Sequence, residues 1–166
     1  MKNVVLAGFL AASAAVPAAG DPLADASFVT GVSICINFGS DGWFAQDRLE
    51  GAGWVARYDA DYGVTVYDSP EGKVQAIPPA EGAGFPAWCS VVSQEVALDF
   101  AADVVRRVLI QTGVDANRET VDGCLAYRTA YDQQIRVHND GNEVMCNRPD
   151  SARVDVITLT DPVGAQ

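Results

Sequence analysis

From Gln94 to Thr112, Ala97, Phe100, Ala101, Val104, Val105 and Val108 share one side of a 3.6-residue period. Glu95, Asp99 and Asp103 occupy the other side. Ser93 stands where an N-cap belongs and Gly113 where a helix stops. The pattern predicts one long amphipathic helix over Gln94–Thr112. The acidic ladder needs no chemistry, because carboxylates suit the N-terminal half of a helix and Arg106 and Arg107 suit its end.

Asp21 to Phe38 carries two patterns at once. Phe28, Val32, Cys35 and Ile36 recur at helical spacing, whereas Val32, Ile34, Ile36 and Phe38 alternate like a β-branched strand. Helix is the preferred reading. Ser40 or Asp41 can cap a second, short helix through Trp43, Phe44 and Leu49 that ends at Gly51 or Gly53.

Short β-type runs punctuated by turn residues fill the rest. Trp54–Asp59, Gly63–Tyr67, Lys73–Ile77 and Trp88–Val92 precede the long helix. Cys124–Tyr131, Gln133–Asn139, Asn142–Asn147 and Arg153–Thr160 follow it. Asp115 to Gly123 reads as an acidic loop. Asp140-Gly141 suits a two-residue hairpin turn with both central residues at positive φ. That register sets Val137 against Val144 and Ile135 against Cys146 on an apolar face, and His138 against Glu143 on a solvated one. The fold class is α+β: a mostly antiparallel sheet of about five to seven short strands, with one long helix and one or two N-terminal helices.

Residues 1–20 read as a cleaved secretory signal. Lys2 precedes an apolar run from Val4 to Val16, and Pro17-Ala18-Ala19-Gly20 offers small residues for cleavage before Asp21. The run is shorter than the roughly 20 residues that span a bilayer. A periplasmic or extracellular protein follows, with residues 21–166 as one domain and no membrane span after cleavage. The four cysteines, Cys35, Cys89, Cys124 and Cys146, are an even set without a C-x-x-C, which reads as two structural disulfides. Four cysteines allow three connectivities; the reading leans to Cys35–Cys89 with Cys124–Cys146.

A net charge of −11, from 22 acidic and 11 basic side chains, argues against nucleic acid as a partner. Such a surface would steer a cationic protein, for instance a basic enzyme. His138 is the sole histidine, which removes a His-based zinc site, and no G-x-S-x-G supplies a nucleophile for it. Asp59-Ala60-Asp61-Tyr62-Gly63 has the acidity of a calcium loop without its distal ligands, and a plain turn explains it. No metal or cofactor is expected.

The aromatics cluster in the first half of the chain. Tyr62, beside Asp59 and Asp61, and Phe85, in a Pro/Gly loop over Pro78–Pro86, are the candidate binding surface. The function read from these features is a non-catalytic exported module that binds a protein or envelope component. A carboxylate hydrolase of envelope glycans, needing two acids about 5–9.5 Å apart, and a structural envelope component are the alternatives.

Overall fold

The computed structural model describes residues 21–139, 146 and 150–160. Helices α1 (Pro22–Phe38) and α2 (Gly42–Gly51) precede β1 (Val55–Asp59), β2 (Val64–Asp68), β3 (Val74–Ile77) and β4 (Ala87–Ser93). Helix α3 (Leu98–Thr112) leads to β5 (Ala116–Val121), β6 (Cys124–Thr129), β7 (Gln133–His138) and β8 (Ala152–Thr158). All eight strands form one antiparallel sheet in the order β1-β2-β3-β4-β8-β7-β6-β5. The class is the α+β fold expected, with one strand more than the upper expectation. No described helix is long and apolar enough to cross a membrane.

Helix α1 wins over the strand pattern because its surroundings are apolar on several sides. Phe28, Val32, Cys35, Ile34 and Ile36 are all buried, against α2, α3 and the sheet. Asp21 caps it, Oδ1 accepting from the Leu23 N–H at 2.9 Å, and Pro22 begins it at a position that needs no N–H. Gly31 marks its closest approach to the sheet, since a Cβ there would meet Val91 at 3.1 Å and Trp54 at 3.2 Å. Asp41 caps α2 through the Phe44 N–H at 3.2 Å.

Three expectations are corrected. The long helix starts at Leu98, not Gln94. Ser93 is the last residue of β4, and its hydroxyl donates to the Lys73 carbonyl at 3.0 Å and accepts from the Glu95 N–H at 3.1 Å. Glu95 therefore lies outside the helix and pairs with Lys73 at 2.7 Å, so the acidic ladder is broken at its first rung. The stop at Gly113 is as expected, with φ +67°.

The supposed acidic loop Asp115–Gly123 contains strand β5 and its turn. Val121 faces Cys124, and between them Asp122 and Gly123 have φ of 53° and 81°. This is the two-residue turn of a tight hairpin. The polarity of Asn117, Arg118 and Glu119 is that of an exposed edge strand, which reads as a loop in sequence.

His138 is buried, not solvated. Both edges of β7 are occupied, by β6 and by β8, and His138 faces Arg153. The expected partner strand Asn142–Asn147, apart from Cys146, lies outside the described residues, as do residues 1–20.

Two disulfides, Cys35–Cys89 and Cys124–Cys146, join the cysteines in the pairing favoured above, each with Cα atoms 5.5 Å apart. The first ties α1 to β4 through the centre of the core. The core lies between the helices and one sheet face, where Val74, Ala76, Cys89, Val91, Ile135, Val137, Val154 and Val156 are buried.

Candidate functional site

Strand alternation sends every second side chain of the sheet away from the helices. On β1 to β4 and β8 these outward side chains floor an open groove of about 690 Å³. Val64, Val66, Ile77 and Val92 make its base apolar. The Pro78–Pro86 loop leaves the end of β3 and returns to β4, so its prolines and alanines form one wall. Its first residues are braced from behind: the Gln46 side-chain amide donates to the Pro79 carbonyl at 3.2 Å, and a Cβ on Gly42 would lie 2.4 Å from that oxygen. Trp88, 46% exposed, and Tyr62, 77% exposed, bring two aromatic rings to the groove.

Of the four candidate surface residues, Asp59 and Tyr62 line the groove. Asp59 Oδ1 accepts from the Asp61 and Tyr62 N–H groups at 3.1 and 3.4 Å, which folds the β1–β2 turn and presents the Tyr62 ring. Asp61 and Phe85 are outside the lining, although Phe85 belongs to the wall-forming loop and is partly exposed. Among the described residues no group of three or more His, Cys, Asp or Glu is placed to hold a metal.

A buried polar network underlies the groove where β4 meets β8. Ser90 faces Asp155 across the strand pair, and its hydroxyl donates to Asp155 Oδ1 at 2.5 Å. That hydroxyl accepts from Trp88 Nε1 at 2.9 Å and from Arg153 Nη2 at 3.2 Å. Arg153 Nε donates to Asp155 Oδ1 at 2.8 Å, and His138 Nε2 lies 2.7 Å from Asp155 Oδ2. Burial alone would raise the Asp155 carboxyl. The His138 hydrogen bond, the Arg153 charge and the Ser90 hydroxyl outweigh it and hold the group well below the usual carboxylate range. Asp155 is thus an anion at 3% exposure.

The ring of His138 is bound on both sides. Nδ1 lies 2.9 Å from the Asn139 carbonyl, which only accepts, and Nε2 faces the ionised Asp155, which only accepts.

Ser, Asp and His therefore meet here in the wrong order for nucleophilic catalysis. A triad places the imidazole between hydroxyl and carboxylate. Here the carboxylate sits between, and an acid held so firmly ionised is a poor proton acceptor for Ser90. Among the described residues Asp59 is the only acid lining the groove, and two smaller cavities of about 380 and 210 Å³ bring no two described acids together either.

Sequence reasoning did not single out Ser90, Asp155, Arg153, Arg57 or Trp88. A usable signal existed at one of them: Asp155 interrupts the run Val154-Asp155-Val156-Ile157, and an acid inside so apolar a strand requires a partner. Compared with protein-family models, curated proteins and solved structures, the chain matches none.

Proposed function

We propose that the protein is an exported, disulfide-stabilised binding module that takes its ligand into the groove on the outer sheet face. The observation that carries this reading is the groove itself: an open, largely apolar depression with two exposed aromatic rings, walled by a braced loop. Its volume is in the range of small-molecule sites, about 300–1,000 Å³. Aromatic rings of this kind supply large contact area at low entropic cost. Support for export comes from the two disulfides, which persist in oxidising compartments, and from the signal-like first twenty residues. The groove lends nothing to the cationic-partner expectation, because its charged lining is Arg57, Arg153 and Asp59.

Two measurements test the reading. The intact mass of the protein recovered from outside the cytoplasm of an expressing bacterium should begin at Asp21, with no thiol alkylated before reduction. A chain retaining residues 1–20 or bearing free thiols refutes export. For the groove, the apolar dye anilinonaphthalene sulfonate should bind the folded protein at one saturable site. Ile77→Lys, which sets a charge on the groove base, should abolish that site while the thermal transition persists. Dye binding that ignores both Ile77→Lys and Trp88→Ala places the apolar surface elsewhere and overturns the assignment.

A further inference from the structure

We infer that the groove selects a small amphipathic carboxylate, an apolar body ending in one carboxyl group, with Arg153 and Arg57 receiving that group. The inference rests on the groove reading above and names its ligand class.

Charge is the first ground. The chain has twice as many acidic as basic side chains, 22 against 11. Among the described residues the groove lining holds two guanidinium groups and one carboxylate, while Asp68 and Asp155, outside the lining, pair with those guanidinium groups. A site built for a cation in so acidic a protein would draw on the acids in excess.

The second ground is how Arg153 is held. Its Nε and Nη2 are bound to Asp155 and Ser90, which fixes the plane of the guanidinium at the groove floor. A guanidinium carries five N–H donors, and the others of Arg153 have no bond among the described residues. Its anion is also shared. Asp155 serves His138 through Oδ2 and Arg153 through Oδ1. Arg153 is the charged member of the cluster that lines the groove. A ligand carboxylate would meet the remaining Arg153 donors in bidentate geometry, for which the planar fork of Arg is suited.

Arg57 enters from β1 on the same face. It is committed only loosely, with Nε 3.2 Å from Asp68 and Nη1 3.7 Å from Asp59, and its side chain is about half exposed. It can swing to a ligand without leaving a buried charge behind.

The apolar body follows from the rest of the lining. Val64, Val66, Ile77 and Val92 offer no hydrogen bonds, and among the described lining residues the uncharged polar groups are those of Gln75, Ser90, Tyr62 and the Trp88 indole, which is spent on Ser90. A saccharide, with a hydroxyl at nearly every carbon, would be left largely unpaired on such a floor. An aliphatic or aromatic chain would not.

The test is calorimetric titration of the disulfide-bonded protein with octanoate and, separately, 1-octanol, which share a chain and differ in the head group. Octanoate should bind about tenfold or more tightly than the alcohol, the gain expected of charge-assisted hydrogen bonds. Arg57→Gln should bring octanoate toward the alcohol and leave the alcohol unchanged. Arg153→Gln should do the same more strongly, read only if its thermal transition is intact; Arg57→Gln carries the test otherwise. Equal binding of the two probes overturns the carboxylate selection and leaves the groove reading standing. Binding of neither probe overturns the ligand class, and the dye experiment then decides the groove separately.

Discussion

The two faces of the sheet are made by the same strands and solve opposite problems. On the inner face Val74, Val91, Val154 and Ile135 meet Phe28 and Val32 of α1 and Val104 and Val105 of α3, and water is excluded. No hydrogen bond among these side chains is needed, and the Cys35–Cys89 bridge passes through the same layer. The outer face has the same strands but no helix over the groove. At its centre it buries the Ser90–Asp155–His138 cluster with Arg153 at the groove, and the groove base beside it runs from buried Val66 to half-buried Val64, Ile77 and Val92. A face closed by packing is stable whatever surrounds it. A face closed by ion pairs is stable only while each member keeps its protonation state.

The largest expected effects set the faces side by side. Phe28→Ala on the inner face should cost about 3–5 kcal/mol in denaturant unfolding. Asp155→Asn on the outer face should cost a similar ~3–5 kcal/mol, because it strips the buried carboxylate from Arg153, His138 and Ser90. Their pH dependence should differ. The folded Asp155 carboxyl lies below its unfolded value of about 3.9, so its contribution is complete above that value and fades as pH falls through the folded one. The Asp155→Asn deficit should therefore shrink in acid, whereas the Phe28→Ala deficit should not move. Parallel pH profiles would refute the contrast. The smallest effect belongs to the groove rim: Trp88→Ala should change stability by less than about 1 kcal/mol in thermal unfolding while removing octanoate binding.

Periodicity revealed the inner face better than the outer one. The stripe Ala101, Val104, Val105 and Val108 was readable because α3 has one dry side and one wet side. Helix α1 was harder, being buried around much of its circumference, so that its sequence fits strand and helix templates alike. Strand β5 was lost because an edge strand has no second neighbour to demand apolar residues, although Asp122-Gly123 is as good a hairpin signal as the Asp140-Gly141 that was taken. Parity and compartment make two disulfides legible, whereas which cysteines pair is a matter of the fold that their spacing does not decide. For the site, Tyr62 and Asp59 were legible as turn residues, whereas Ser90, Arg153 and Asp155 meet only through pairing across the β4–β8 junction, which short-range patterns do not contain. His138 was misplaced for the same reason: its real neighbour, Arg153, comes from a strand that local turn chemistry did not nominate.

The strand order has a consequence for the life of the chain. Strands β1 to β4 and β5 to β8 are each a set of sequential hairpins, and the two sets touch only along β4 and β8. That seam joins residues 65 positions apart at Ser90 and Asp155, so its loop closure carries a far larger entropy cost than any hairpin turn. Trp88 and Arg153 arrive at the groove from opposite sides of the seam. Among the described residues the first half supplies all of the groove lining except Arg153. Arg153 alone crosses the seam, so the guanidinium proposed above for the carboxylate reaches the groove only once β8 has joined β4.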